Sequence, residues 1–118
     1  MTGSSTLGIQ TVLHPVSDLE KAKVLYTALL GGPPQADESY YVGFEAAGQH
    51  IGLVPGGGPQ GMTSPVSYWH VPDLEAKLAE VTAAGATVKE PAHDVGGGRL
   101  VATVTDPDGN VLGLLQDR

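Results

Sequence analysis

The chain has 118 residues, 41% of them hydrophobic and 16% charged, which is the balance of one globular domain rather than of a disordered segment. The chain has six Lys and Arg residues and 13 Asp and Glu residues, so its net charge is −7. It lacks the clustered cations that bind nucleic acid. The chain has no cysteine, which predicts that it forms no disulfide and no sulfur-bound zinc site. It has no signal-peptide pattern and no apolar run near the roughly 18 residues of a membrane span, which predicts a cytoplasmic protein without a membrane partner.

The first predicted elements are a strand over GIQTVLHPV and the helix that follows it. Ser17 and Glu20 match the S-x-x-E capping box with which many helices begin, and Gly31 and Gly32 supply a stop. Apolar residues recur at helical spacing between these signals, so one face of the helix is predicted to point into the core. That face consists of Leu19, Ala22, Tyr26, Leu29 and Leu30.

Short strands divided by turn residues come next. YYVGFEA and QHIGLV are predicted to form a hairpin that turns at Gly48. The following segment, from Pro55 to Pro65, is rich in glycine and has no periodicity, so it is interpreted as a linker.

The second half repeats this order. A strand over SPVSYWHV precedes a helix whose apolar stripe is Leu74, Leu78 and Val81 and which ends at Gly85. Three strands are predicted after it, ATVKEP, RLVATVT and NVLGLLQ, and the turn between the last two is Asp106–Asn110.

The two halves are an internal repeat. Residues 16–20, VSDLE, match residues 71–75, VPDLE, at an offset of 55 positions. Such a repeat predicts two copies of one supersecondary unit. The predicted fold class is therefore α+β with two tandem βαβββ modules, the first at about 7–54 and the second at about 66–118, joined by a linker at about 55–65.

Three segments together resemble the vicinal oxygen chelate superfamily of glyoxalases, bleomycin-resistance proteins and dioxygenases: VSDLEKAKVLYTALLG, VPDLEAKLAEVTAAGATV and DPDGNVLGLLQ. They occur in the right order and cover most of the chain. The resemblance implies a cupped mixed sheet around a cavity, helices on its convex side, and pairing of subunits as a homodimer.

Metal-using members of this family take one ligand from the first strand and one from the last strand of each module. The first-strand positions, seven residues before the helix-start aspartate, correspond here to Thr11 and Val66. The last-strand positions, four residues after the turn glycine, correspond to Gly52 and Gly113. Valine and glycine offer no lone pair, and one threonine hydroxyl does not hold a divalent transition metal against water. The sequence therefore predicts no metal ligand and no cofactor at these positions.

Strand alternation extends the predicted cavity from those positions to neighbours on the same face. Trp69 falls on the opposite face and is interpreted as core packing under a helix, His14 is expected on the convex side, and His93 in a loop. Arg99 is interpreted as a salt-bridged surface residue rather than a clamp for an anion. The predicted ligand-binding cavity consists of Thr11, Leu13, His50, Gly52, Val66, Tyr68, His70, Val111 and Gly113.

Four functions are compatible with this pattern. The leading hypothesis is metal-independent binding and sequestration of a small molecule, as in the bleomycin-resistance proteins, with no catalysis. The second is a metal-free enzyme in which His50 or His70 acts as general base, since imidazole titrates near neutral pH. The third is a metal-dependent lyase, isomerase or dioxygenase with ligands elsewhere, including a displaced site at His50 and His70, and the fourth is a dimeric scaffold without a ligand. Whether the modules pair within one chain or across the dimer stays open.

Overall fold

The computed structural model describes residues 6–58 and 61–117. Within them, each half of the chain has the order strand, helix and three strands, so the predicted α+β class built from two βαβββ modules is confirmed. Neither helix of the described residues is long and apolar enough to cross a membrane. The elements are β1 (Ile9–Val16), α1 (Leu19–Leu30), β2 (Ala36–Glu38), β3 (Tyr41–Ala46), β4 (Gln49–Pro55), β5 (Val66–His70), α2 (Leu74–Ala83), β6 (Thr87–Asp94), β7 (Arg99–Thr105) and β8 (Val111–Asp117).

The chain divides into two compact units. The first unit runs from Gln10 to Val66, and the second combines Ser67 and the residues after it with those that precede Gln10. The predicted linker begins one residue too early, because Pro55 still belongs to β4. Residues 59 and 60 of that linker lie outside the described residues.

The first unit has the strand order β2-β3-β4-β1, in which β1 runs parallel to β4 and the other pairs are antiparallel. Its core is formed by Val42, Phe44 and Leu53, against which one face of α1 packs. Strand β2 was not predicted, because its residues Ala-Asp-Glu lack the β-branched and aromatic side chains that are typical of a strand. Pairing with β3 makes this segment a strand.

The second unit has the equivalent strand order β5-β8-β7-β6, with β5 parallel to β8. Its core of Val71, Leu74, Leu78, Ala102, Val104 and Leu114 lies between the sheet and α2. Trp69 packs against this core, as predicted. The prediction of a loop around His93 was wrong, since His93 lies in β6, which continues past Pro91 through two register irregularities.

Both helices begin at an aspartate. Asp18 Oδ1 accepts a hydrogen bond from the backbone N–H of Lys21 at 3.1 Å, and Asp73 Oδ1 accepts one from Ala76 at the same distance. The predicted capping box at Ser17 was therefore wrong by one residue. A carboxylate at the N-cap satisfies a free N–H and also faces the positive end of the helix dipole, so it competes well with serine. At the other end of α1, Gly31 adopts a left-handed backbone with φ of 84°, as the predicted stop requires.

Two turns close the hairpins as predicted. Ala47 and Gly48 both have positive φ, 54° and 77°, which suits a two-residue turn between β3 and β4. In the turn after β7, the Asp106 carboxylate accepts hydrogen bonds from the backbone of Asp108 at 2.9 Å and of Asn110 at 2.8 Å. The hydrogen bonds from Asn110 are the main cause that lowers the pKa of Asp106, so this carboxylate keeps its charge and holds the turn in place.

The position of the cap can be tested by comparing Asp18→Ala with Ser17→Ala. We expect Asp18→Ala to lower the free energy of unfolding by about 1 kcal/mol, the usual value of an N-cap. Ser17→Ala should leave it within about 0.5 kcal/mol of wild type, as for a surface residue without such a role. Urea denaturation followed by circular dichroism measures both values. An equal loss in the two variants would restore the capping box at Ser17.

Candidate functional site

In the first unit, the ring of Tyr41 lies across two facing glycines. Gly43 of β3 and Gly52 of β4 are register partners. A Cβ atom built on Gly52 would lie 2.5 Å from the Tyr41 hydroxyl oxygen and 2.6 Å from Leu13 Cδ2. A Cβ on Gly43 would lie 3.0 Å from Tyr41 Cε2. The space that these glycines leave free is therefore filled by Tyr41 and Leu13.

The hydroxyl of Tyr41 reaches the imidazole of His50. The Tyr41 oxygen and His50 Nε2 are 2.8 Å apart, and which of the two donates depends on the tautomer of the ring. Both side chains are partly buried. In register, His50 lies between Thr11 of β1 and Glu45 of β3. The structure thus joins a phenol to an imidazole directly beside the predicted ligand position at Gly52.

Tyr41 is a residue that the sequence analysis did not assign to the site. An aromatic residue at the start of a strand is ordinarily a packing residue, so the residue type of Tyr41 gave no indication of a role in the site. The signal that could have identified it is the pair of glycines at matching positions of a predicted hairpin. Such a pair leaves an opening on the sheet that a neighbouring aromatic ring tends to cover.

In the second unit, Tyr68 covers Gly113 in a similar way. The two residues are register partners on the parallel strands β5 and β8. A Cβ on Gly113 would lie 2.6 Å from Tyr68 Cγ and closer still to Cδ2. Only 3% of the Tyr68 surface is exposed. Burial, and to a smaller extent the charge of Glu90, raises the pKa of Tyr68, so this phenol stays protonated at neutral pH.

A buried hydroxyl lies next to this ring. Thr103 of β7 is the register partner of Gly113 on the side away from β5, and it is 6% exposed. Among the described residues, the Thr103 hydroxyl oxygen has no hydrogen-bond partner. A buried polar atom without a partner is unfavourable by about 1–3 kcal/mol. A ligand group or an ordered water that bonded Thr103 would remove this penalty.

The charged groups near His70 are paired with one another. Asp117 receives hydrogen bonds from Arg99 Nε at 2.8 Å and Nη2 at 3.2 Å. His70 Nδ1 is 3.9 Å from Asp117 Oδ2, the oxygen that also accepts from Arg99 Nη2. Arg99 is thus the salt-bridged surface residue that was predicted. Because the Asp117 side chain is 54% exposed, solvent screens these pairs, and they contribute little to stability.

The predicted site residues separate between the two units. Thr11, Leu13, His50 and Gly52 lie together in the first, and Tyr68 and Gly113 in the second. Thr11 and Val66 are buried, with 2% and 4% exposure. Val111 pairs with Thr105 at the far end of β8 from His70. His14 contacts Tyr26 of α1 and so lies on the helix side, as predicted.

The metal that the family fold implies does not fit these residues. Gly52 and Gly113 present no donor atom, and aromatic rings cover both positions. In the described part of the chain, no group of three His, Asp or Glu side chains is placed to hold a metal ion. A stable first-row metal site needs three or four such donors. These four positions therefore supply no metal centre.

A separate pocket of about 210 Å³ lies on the helix side of the second unit, under α2. Its walls are mainly apolar, and it is smaller than the roughly 300 Å³ at which pockets for drug-sized ligands begin. None of the predicted cavity residues lines it. It is lined by Thr6, Trp69, Val71, Lys77, Val81, Val104, Leu112 and Leu114.

The contact between Tyr68 and Gly113 can be tested with Gly113→Ala. We expect this change to destabilise the protein by about 1–3 kcal/mol, because the new methyl group overlaps the ring. Gly32→Ala is the control, since a Cβ there meets nothing within 4 Å and its φ is not positive. Thermal and urea unfolding measure both. A Gly113→Ala protein as stable as Gly32→Ala would mean that Tyr68 does not cover the glycine.

Comparison with known proteins places this geometry in a family. Residues 8–114 match the model of the Glyoxalase/Bleomycin resistance protein/Dioxygenase superfamily. Curated relatives named "Putative glyoxylase CFP32", from Mycobacterium bovis and Mycobacterium tuberculosis, are 31% identical over 110 residues, which is 85% of this chain and 42% of theirs. The chain thus spans less than half the length of these relatives.

Solved structures show the same fold at low identity. The Mn(II)-bound glyoxalase from Novosphingobium aromaticivorans has a TM-score of 0.74 at 21% identity, over 97% of this chain and 40% of that one. Methylmalonyl-CoA epimerase from Mycobacterium tuberculosis has a TM-score of 0.74 at 16% identity, over 100% of this chain and 93% of that one. On the strength of the family match over nearly its whole length, the chain belongs to the Glyoxalase/Bleomycin resistance protein/Dioxygenase superfamily.

Proposed function

We propose that this protein binds and sequesters a small organic molecule without a metal ion. The observation that carries the proposal is that glycines stand where metal-using members of the family have ligands, and that tyrosine rings lie over these glycines. Tyr41 fills the space at Gly52, and Tyr68 fills the space at Gly113. A face on which aromatic rings replace donor side chains is suited to apolar and aromatic ligands. A few polar groups beside those rings give such a ligand its orientation.

The polar groups in question are few and well defined. His50 and Tyr41 form one hydrogen-bonded pair in the first unit. In the second unit, the protonated Tyr68 and the Thr103 hydroxyl, which has no hydrogen-bond partner in the described part of the chain, lie near each other around Gly113. Neutral hydroxyl and imidazole groups recognise hydrogen-bonding ligands without demanding a charge. The net charge of −7 favours a neutral or cationic ligand over an anion.

We further propose that the protein acts in the cytoplasm as a homodimer. The absence of cysteine and the acidic composition support the first statement, since they suit a chain that needs no disulfide. Three large apolar side chains of α1, Val24, Leu25 and Leu29, are exposed, although Leu29 was predicted to face the core, and this apolar surface supports the second.

Ligand binding is tested by a thermal-shift screen of aromatic and glycopeptide natural products, followed by calorimetry on each hit. We expect saturable binding that is unchanged by a metal chelator. His50→Ala should weaken it about tenfold, the effect of roughly one lost hydrogen bond. His93→Ala is the matched control, because the hydrogen bond that this ring makes goes to the Pro91 carbonyl, at 2.9 Å, and not to a predicted cavity residue. A screen without any saturable ligand would remove the support for sequestration.

A second function, metal-free acid–base catalysis, is favoured by the distance of 2.8 Å between Tyr41 and His50. In the tautomer with hydrogen on Nε2, that N–H donates to the Tyr41 oxygen, and Nδ1 of the same ring is the nitrogen that can accept a proton from a bound substrate. The Tyr41 hydroxyl can then donate a hydrogen bond to the negative charge that develops on the substrate. The hydrogen bond holds the two rings in one arrangement, which lowers the cost of reaching a reactive geometry.

Catalysis is tested by turnover of small carbonyl compounds and CoA thioesters in the presence of a chelator. If His50 is the base, His50→Ala should lower the rate by about 10²–10⁴-fold. Tyr41→Phe should lower it less, since the imidazole remains. His93→Ala should have no effect. Turnover that is equal in wild type and His50→Ala would exclude this role for the pair.

A further inference from the structure

Four register partners form a row across the sheet of the second unit. Tyr68 of β5 pairs with Gly113 of β8, and Gly113 pairs in turn with Thr103 of β7. On its other side, Thr103 pairs with Glu90 of β6. Register partners point to the same face of a sheet, whereas Val104, the next residue along β7, points into the core under α2. These four residues are here called the cross-strand row, and it lies on the face away from α2.

A β-bulge brings Glu90 into the cross-strand row. Val88 pairs with Val104, and the next pair is Glu90 with Thr103, so Lys89 is the extra residue of β6. In a regular ladder, Lys89 would lie opposite Thr103 and would bring an ammonium group to this place. A bulge changes which side chain faces a given neighbour. Here it sets a negative charge beside Thr103 instead of a positive one.

The Thr103 hydroxyl and the Glu90 carboxylate face each other without a bond between them. The Thr103 residue is 6% exposed, and its hydroxyl oxygen has no hydrogen-bond partner among the described residues. Glu90 is partly buried, and none of the salt bridges between described residues includes it. Burial first, and the charge of Glu90 second, raise the pKa of Tyr68, so this charge acts on the row. A group that donates two hydrogen bonds would bridge the two oxygen acceptors.

We propose that the cross-strand row recognises the protonated amino group of a small organic ligand, which donates to both Glu90 and Thr103. The inference rests on the proposed function and names the class of ligand. An ammonium group has three donors and no acceptor, so it can bond the hydroxyl and the carboxylate together. Its charge pairs with Glu90, and the nearby ring of Tyr68 also attracts a cation. The net charge of −7 acts in the same direction.

Other ligand groups fit the row less well. A carboxylate or a phosphate is repelled by Glu90. A neutral hydroxyl can bond Thr103, but it leaves the charge of Glu90 without a counter-ion. The next pair on the same face, Val101 and Leu115, is apolar and buried. The surroundings therefore favour an amine whose body is aromatic or aliphatic.

Amine recognition is tested by titrating the ligand-free protein with benzylamine, benzyl alcohol and benzoate at neutral pH, where alkyl amines are protonated. Backbone amide shifts of nitrogen-15-labelled protein report the binding. We expect saturable shifts at Thr103 and Glu90 with benzylamine. Benzyl alcohol should bind about tenfold more weakly, because it lacks the charge-assisted hydrogen bond, and benzoate should not bind. Equal binding of the amine and the alcohol, or no saturable shift with the amine, would overturn the proposal.

Charge variants test whether Glu90 attracts the amine. Glu90→Gln should weaken benzylamine binding about tenfold, since it keeps the shape of the side chain and removes its charge. Lys89→Gln is the matched control and should bind at least as tightly as wild type. The exchange of Lys89→Glu with Glu90→Lys keeps the net charge of −7 and should abolish binding. Binding that survives the exchange would show that the overall field attracts the amine, and would refute the site.

The variant Thr103→Val separates a ligand-binding hydroxyl from a structural one. We expect a higher melting temperature than in wild type, because the change removes a buried polar atom without a partner. Benzylamine binding should become weaker in the same variant. A lower melting temperature, or unchanged binding, would show that the hydroxyl serves the fold rather than the ligand and would contradict the proposal.

The amine titration and the natural-product screen fail separately. A neutral ligand that depends on His50, together with no preference for benzylamine, would support sequestration and refute the amine site. Selective benzylamine binding that requires Glu90, together with a screen without hits, would support the amine site and count against sequestration of natural products.

Discussion

The parallel contact between the first and last strand of each module is the interaction on which both the fold and the candidate site depend. In each module, a large side chain of the first strand lies directly opposite a glycine of the last strand: Leu13 opposite Gly52, and Tyr68 opposite Gly113. The glycine removes the Cβ that the large side chain would meet. The strands can then pair while that side chain lies flat on the sheet. The same pairing fixes what the face of each module can present to a ligand.

This pairing separates the chain from a metal-binding member of its superfamily on physical grounds. A metal site at these positions needs donor atoms that project from the sheet into open space. Here the positions have no side chain, and the space above them holds hydrocarbon and phenol rings. The chemistry left to the face consists of hydrogen bonds from Tyr41, His50, Tyr68 and Thr103, together with apolar contact. Such groups can hold an organic molecule or move a proton, and they offer no Lewis acid.

Periodicity and repetition were enough to predict the two modules, the order of their elements and the side on which His14 and Trp69 lie. These features follow from patterns that extend over many residues. What could not be predicted depends on single contacts across the fold. Strand β2 exists because β3 pairs with it, and Tyr41 joins the site because two glycines on neighbouring strands admit its ring. Leu29 had the right spacing for a core residue, but it lies at the edge of the apolar face of α1. At that edge, a small rotation of the helix about its axis decides whether a side chain faces the core or the solvent.

The covered glycines also bear on how this protein could change over evolutionary time. A ligand side chain at position 113 and a tyrosine that lies on that strand from position 68 exclude each other, because the two would occupy the same space. A ligand side chain at position 113 requires the loss of the Tyr68 ring, and one at position 52 requires changes at both Tyr41 and Leu13. Either single step creates an overlap or a void before it creates a donor. A metal ligand at either position therefore needs at least two coordinated substitutions, so each glycine and the ring that covers it are coupled by epistasis.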